Sequence, residues 1–345
     1  MAWAKSDYSK KAVMRAGEIL ITPLAQSGFE KWADAWEVLS NWRAAHAYPM
    51  HALLMMLRNR SVRVDRSAIV VQRLKRTPSI LEKLSRYPDM KLHRMQDISG
   101  CRAIVTHVRD VERLSHSIIS SRTRHRLHKE NDYIASPKES GYRGIHLVYK
   151  YGGEKEEYQD FFVELQLRSK IQHAWATAVE IVDTFTQQAL KASQGSQDWK
   201  DFFRYISSEF AKLEKRPLDE ALKDIDTASE AKRLADFLHV VERLNVFAVS
   251  VSQITQKLEN KTDYFLLELT DNAKKIVVTQ FKTSDFERAT RVYLEREKAS
   301  KDNASHDVVL VAASSMHALR RAYPNYFADS KDFIKYMERV FAINK

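Results

Sequence analysis

Glu164, Gln166 and Arg168 alternate with Val163, Leu165 and Leu167. A strand turns successive side chains to opposite faces, so one face of this run is apolar and the other offers an acid, an amide and a guanidinium. Upstream, Lys138, Gly141, Tyr142, Arg143 and His146 crowd one loop. Lys138 supplies a point charge for phosphate, Tyr142 an aromatic face for a base, and His146 a ring nitrogen for a phosphate or hydroxyl. Stacking of a base on such a ring is worth roughly 1–3 kcal/mol. Each piece alone has a plainer reading. The alternation fits a half-buried edge strand, Tyr142 fits core packing, and His146 fits a hydrogen-bonded strand histidine.

A second group of residues is cationic. Arg73, Lys75, Arg76 and Lys83 lie within one short segment, and Ser79 and Lys83 share a helix face at i, i+4. With Arg73 and Lys75 that face could neutralise a triphosphate, although a lone basic run also suits a solvated helix. Next comes Asp97-Ile98-Ser99-Gly100-Cys101-Arg102, an acid and a glycine turn leading into an apolar strand. Magnesium takes one or two carboxylates and completes its shell with phosphate oxygens and water. Asp97 and Glu164 could supply that pair; Asp97 alone would equally serve as a turn or cap residue.

These groups need elements to hold them. Residues 1 to about 85 read as helical, with a break at Tyr48-Pro49 and a helix start at Pro78. Short β-branched strands follow at 102–108, 146–151 and 161–168, with helices at 108–122 and 169–190. Residues 191–200 are small and polar, and 201–260 are helical apart from Pro217. A hairpin at 264–281 turns at Asp271-Asn272, followed by a helix from Ser284, a buried strand at 307–312 and helices at 315–321 and 333–340. Strands flanked by helices predict an α+β or α/β layer.

Composition narrows the partners. The chain has 345 residues, 44% hydrophobic and 29% charged, enough for two cores. Its net charge of +11 is uneven: residues 201–345 hold 24 Lys and Arg against 23 Asp and Glu, and residues 1–200 hold 32 against 22. A basic first part draws phosphates, on nucleotides or on RNA. The single cysteine, Cys101, excludes an internal disulfide and a cysteine metal cluster. No apolar run approaches the ~20 residues of a membrane span, and residues 1–7 lack a signal-peptide core. We expect a cytoplasmic protein with no membrane partner.

As an ordered set, Arg73-x-Lys75-x-x-x-Ser79-x-x-x-Lys83, Asp97-Ile98-x-Gly100-x-Arg102, Tyr133-Ile134-x-x-Pro137-Lys138-x-x-Gly141-Tyr142-Arg143-x-x-His146 and Glu164-x-Gln166-x-Arg168 resemble the RelA/SpoT alarmone synthetase domain. The resemblance implies a nucleotidyltransferase-like mixed sheet flanked by helices. It implies a Mg²⁺-dependent enzyme that moves the β,γ-pyrophosphate of ATP to a 3′-hydroxyl. Arg73, Lys75, Ser79, Lys83 and Arg102 would bind ATP. Asp97 would carry the metal. Glu164 would help with the metal or take the hydroxyl proton, with Gln166 beside it. Lys138, Tyr142, Arg143, His146 and Arg168 would hold the acceptor.

Ser140 stands where alarmone synthetases commonly have Asn before Gly-Tyr, which weakens the inference of a guanine acceptor. A toxic branch of the same family modifies the tRNA 3′-CCA end, so tRNA and GDP or GTP both stay open. A non-catalytic nucleotide sensor is a third reading. We expect synthesis only, without the hydrolase half of the long bifunctional enzymes, because His46 and His51 do not make its metal site. The whole chain is similar to the CapRel group of fused toxin–antitoxin proteins, which implies phage defence with a phage structural protein as trigger. There a Tyr-x-x-Tyr motif masks the ATP site, and Tyr323 and Tyr326 match it. The expected organisation is a helical region at 1–64, a synthetase domain at 65–195, a helical connector at 196–261 and a small α/β regulatory domain at 262–345.

Overall fold

The computed structural model describes residues 3–190, 196–250, 252–255, 263–270, 275–299, 307–313, 319 and 329–343. Among them, four helices come first: α1 (Lys10–Ile21), α2 (Leu24–Ser27), α3 (Phe29–Ala45) and α4 (Ala47–Val64). The side chain of Ser9 caps α1 by accepting from the Ala12 amide. Strand β1 (Ile69–Leu74), helix α5 (Thr77–Arg86), strand β2 (Ser99–Val105) and helix α6 (Val108–Ile119) follow. Pro78 stands in the first turn of α5, where its missing N–H costs nothing. Then come β3 (Arg126–Asp132), β4 (Ile145–Lys150), β5 (Phe162–Ser169) and α7 (Lys170–Leu190).

The second half contains α8 (Ser196–Glu214), α9 (Thr227–Phe237), α10 (Val240–Ser250), β6 (Ser252–Thr255), β7 (Asp263–Thr270), β8 (Lys275–Lys282), α11 (Phe286–Ala299), β9 (Asp307–Ala313) and α12 (Lys331–Ile343). No described helix is long and apolar enough to cross a membrane.

The nine described strands form one mixed sheet in the order β3-β4-β5-β2-β1-β9-β7-β8-β6. Pairs β2–β5 and β6–β8 are parallel and the rest antiparallel. The register aligns side chains in rows across the sheet. One row runs Lys129, Val148, Glu164, Gly100, Arg73 and Val311. The next runs Asn131, His146, Gln166, Arg102 and Val71. Paired residues share a face, so most of the chemistry noted above falls on one side of the sheet. The other side carries Ala103, Val105, Leu147, Val163, Leu165 and Leu167, all buried in a core shared with Val13, Leu39, Leu53, Leu57, Val111 and Leu114.

Three findings differ from the sequence expectations. Residues 69–74 are a strand inside a segment read as helical. The β-branched run Ile69-Val70-Val71 prefers a pleated surface, and the flanking arginines hid it. Strand β3 was not anticipated at all, because it has no apolar face to betray it. The segment at 262–345 is not set apart either. Its β9 pairs with β1 at Gln72–Ala312 and Arg73–Val311, which joins its hairpin to the main sheet. Its last helix, α12, buries Phe333, Met337 and Val340 among Ile181, Phe202, Ile206, Phe210 and Leu234 of α7, α8 and α9. The helix expected at 315–321, apart from Leu319, lies outside the described residues, as do Tyr323 and Tyr326.

Candidate active site

A cleft opens on the polar face, lined by Arg73, Lys75, Asp97, Gly100, Cys101, Arg102, Glu164 and Gln166. Strands β1, β2 and β5 supply Arg73, Arg102, Glu164 and Gln166 from adjacent register positions. Gly100 sits in the row between Arg73 and Glu164, so the floor there carries no side chain. Lys75 leaves β1, and Asp97 precedes β2.

Asp97 is bracketed by cations. Lys83 Nζ lies 2.8 Å from Oδ1 and Lys75 Nζ lies 3.1 Å from Oδ2. Lys83 reaches it from α5, and Ser79, one turn earlier, shares that face. Two ammonium groups on one carboxylate leave local positive charge in excess, which suits phosphate oxygens.

Glu164 accepts two hydrogen bonds. His146 Nδ1 lies 2.9 Å from Oε1, and Gln166 Nε2 donates to Oε2 at 2.7 Å. Burial alone would raise this carboxyl. The hydrogen bond and charge of His146, the Gln166 amide and the field of Lys83 outweigh it and hold the group down to about 2. Glu164 is therefore an anion at any physiological pH. An ionised carboxylate cannot donate, so His146 carries its proton on Nδ1. Nε2 faces the Tyr142 hydroxyl, 2.5 Å away. Tyr142, His146 and Glu164 form one continuous chain.

On the far side of Glu164 the loop builds a cationic, aromatic wall. Arg168 Nε donates to the Tyr142 hydroxyl at 3.1 Å, and its guanidinium carbon lies 5.0 Å from the Tyr142 ring centre. Lys138 Nζ sits 4.5 Å from the Tyr133 ring centre and 5.1 Å from that of Tyr142. Burial lowers the Lys138 pKa, with Glu164 opposing and Lys83 and Arg168 adding to the fall. Arg168 Nη1 is buried with no hydrogen-bond partner among the described residues, a donor waiting for an acceptor.

The loop shape depends on two glycines. Gly141 has φ +87°, and an added Cβ would stand 3.0 Å from Ser207 Cβ and 3.1 Å from Arg204 Cα. Gly144 has φ +150°, and its Cβ would press on the Leu167 carbonyl and the Tyr142 hydroxyl. Ser207 Oγ on α8 then donates to the Gly141 carbonyl. Helix α8 thereby pins the loop that carries Lys138 and Tyr142.

Twelve of the expected site residues fall on or beside this cleft, Ser79 among them by its helix position. Arg143 does not. It is buried behind the loop, and its Nη1 donates to the carbonyls of Ile134 and Pro217. It ties the loop to the helical segment and is not placed to touch an acceptor. His146 is also corrected in part: both ring nitrogens are engaged by protein groups, so it positions Tyr142 and Glu164 and does not itself offer a free donor. Tyr133 went unassigned in the sequence. It packs 5.3 Å from the His146 ring, two residues past Asn131 and on the same face. The signal was the alternation running on from β3, which its largely polar composition obscured.

A magnesium ion would find two carboxylates in this cleft, Asp97 and Glu164. Among the described residues no group of three or more His, Cys, Asp or Glu could form an all-protein cage. That donor set fits a hard ion held largely by substrate phosphates.

The region that holds this geometry is similar to known proteins. Residues 72–182 match the family model of the region found in RelA / SpoT proteins. The match begins inside β1, ends inside α7, and contains every cleft-lining residue named above. GTP pyrophosphokinase YjbM of Bacillus subtilis (strain 168) is 37% identical over 115 residues, covering 31% of this chain and 52% of the relative. GTP pyrophosphokinase YwaC of the same organism is 30% identical over 115 residues, covering 30% and 52%. The chain thus spans about half the length of the curated relatives it matches. The crystal structure of small alarmone synthetase 1 from Bacillus subtilis, bound to its product pppGpp, superposes with a TM-score of 0.42 at 25% identity, over 49% of this chain and 88% of that one. A GTP pyrophosphokinase family protein from Streptococcus pneumoniae gives 0.39 at 24% identity, over 57% and 93%.

Proposed function

We propose that this chain is an ATP-dependent pyrophosphokinase of the RelA/SpoT type, and that the cleft between β1, β2 and β5 is its active site. One observation carries the reading: a matched RelA/SpoT region gathers Arg73, Lys75, Arg102, Asp97, Glu164 and Gln166 around a single opening. In the reaction, a 3′-hydroxyl oxygen bonds to the β-phosphorus of ATP, the bond from that phosphorus to the α,β-bridging oxygen breaks, AMP leaves, and the hydroxyl proton goes to solvent. Such transfers need in-line positioning and neutralised charge far more than covalent help from the protein. Arg73, Lys75, Lys83 and Arg102 hold the phosphates, with Ser79 beside them. Asp97 and Glu164 would hold magnesium, which would supply charge neutralisation at the phosphate oxygens. A carboxylate held to about 2 is a weak base. Glu164 therefore orients the hydroxyl and supports the metal, with Gln166 fixing its rotamer.

The acceptor side is the wall of Lys138, Tyr133, Tyr142 and Arg168. We read the acceptor as the 3′-CCA end of tRNA, which would block translation. The excess of 32 Lys and Arg over 22 Asp and Glu in residues 1–200 supports a polyanionic partner. A second reading, GDP or GTP as acceptor, is favoured by the names of the relatives, both GTP pyrophosphokinases.

The C-terminal segment is proposed to restrain the enzyme as a fused antitoxin, with release by a phage structural protein. Its attachment beside the site supports this. The buried Arg43 of α3 donates to the Lys75 carbonyl at 3.0 Å, to Thr77 Oγ1 at 2.8 Å and to the Tyr293 hydroxyl of α11. One side chain thus links helix α11 of the C-terminal segment to the backbone of a cleft lysine. Tyr323 and Tyr326 are the proposed masking residues.

ATP labelled in its γ-phosphate, offered with tRNA or with GDP and GTP, tests these readings. Label on tRNA supports the toxin, and label on GDP or GTP supports the alarmone enzyme. Label on neither, with the C-terminal segment released, identifies a nucleotide sensor and ends the enzyme reading.

A further inference from the structure

We propose that the β3–β4–β5 edge of the sheet is a docking track for single-stranded RNA, the stretch leading into the acceptor nucleotide. This rests on the reading that the acceptor 3′-hydroxyl lies beside Glu164. The register supplies the geometry. Lys129 lies in the same cross-sheet row as Glu164, two strands away on the side opposite Arg73. At the usual strand spacing that is about 10 Å. In the neighbouring row Arg126 pairs with Lys150 and Lys150 with Phe162. Phe162 is two residues from Glu164 on the same face, about 7 Å further along β5.

These side chains form an organised surface. Lys150 Nζ lies 5.4 Å from the Phe162 ring centre, and the His128 ring lies 5.0 Å from it. A β-bulge between Leu127 and Lys129 inserts His128 as an extra residue. Bulges re-aim side chains in this way. Lys129 is exposed and has no ion pair among the described residues. Nearby acids are largely paired: Asp160 with Arg126 of the track itself, Glu154 with Arg124 and Glu157 with Lys5. Glu130 alternates to the other face.

Charged residues also protect a sheet edge from pairing, and β3 is an edge. Edge protection asks only for charge. It does not ask for an aromatic ring between a lysine and a histidine on the face that leads to the site. Aromatic faces with interleaved cations are what unstacked RNA bases and their phosphates require. A mononucleotide would be held entirely by the Lys138–Arg168 wall and would never reach Lys129.

The test uses the full chain and two variants, Lys129→Glu with Lys150→Gln, and Phe162→Leu. Binding of a fluorescent RNA strand ending in CCA reads the surface without turnover, and labelled transfer reads it with turnover. The charge variant should weaken RNA binding and raise the tRNA KM by about tenfold, with a shallower salt dependence. Phe162→Leu should weaken RNA binding with the salt slope unchanged. Affinity for a non-transferable ATP analogue should not move in either, which reports an intact fold. RNA binding that is absent in the wild type, or equal in all three proteins, overturns the track. If tRNA is labelled normally by both variants, the track fails while the enzyme reading stands. If no acceptor is labelled but RNA binding still depends on these residues, the track stands and the enzyme reading fails.

Discussion

Replacing Glu164 by Gln isolates the charge at the centre of the site. The carboxylate accepts from His146 on one oxygen and from Gln166 on the other. An amide has one acceptor and one donor, so one partner would face a donor against a donor. Losing a charge-assisted bond of this kind costs about 1.5–3 kcal/mol. Linkage gives the same scale. The folded group sits at about 2 against an ordinary value of 4.5. Each unit is worth about 1.4 kcal/mol, so the ionised form contributes on the order of 3 kcal/mol. Because the folded value is depressed, that contribution is complete above the ordinary carboxylate value and fades as pH falls from there towards the folded one. Urea unfolding of wild type and Glu164→Gln should therefore differ by about 2–3 kcal/mol at neutral pH, and the gap should shrink steadily below about pH 4.5. In the same variant diphosphate transfer should fall by about 10²–10³-fold, the scale of one lost electrostatic contact in the transition state. A gap that ignores pH, or a variant as stable as wild type, would refute the electrostatic account of this site.

Other substitutions probe separate parts. Gly141→Ala should cost about 2 kcal/mol in urea unfolding, from a left-handed φ and contact with α8. It should also raise the acceptor KM, with ATP affinity retained; an acceptor KM equal to wild type would show that the loop is not pinned as described. Cys101 is buried, its thiol bonds to the Met50 carbonyl at 3.5 Å, and burial pushes its pKa up, so iodoacetamide should label it only after unfolding. Rapid labelling of native protein would place the cleft floor wrongly. Tyr323→Ala should make expression toxic without any trigger; a harmless variant made at normal levels would count against masking by the C-terminal segment.

Much of the site was readable because strand chemistry is periodic. Glu164, Gln166 and Arg168 shared a face on paper, and the register of β5 against β2 and β4 brings Arg102 and His146 to them. The hairpin of β7 and β8 was legible for the same reason, with apolar runs on each side of a turn. What escaped followed from missing contrast. Strand β3 is polar except for Leu127, so Lys129, and Tyr133 just past its end, had no face to be assigned to. Arg143 shares a short motif with Tyr142, and residue type alone cannot show that the chain turns between them. The pairing of β9 with β1 joins residues about 240 positions apart, a distance at which local patterns carry no signal.

The account rests on where ATP binds. The α–β bridge is the bond to be broken, so an analogue with a methylene group at that bridge binds without reacting. A crystal structure of the full chain with this analogue and magnesium is the most direct test. The account predicts its phosphates among Arg73, Lys75, Lys83 and Arg102, with the metal between them and the carboxylates of Asp97 and Glu164. A nucleotide bound anywhere else, or in this cleft with both carboxylates turned away from its phosphates, would contradict it.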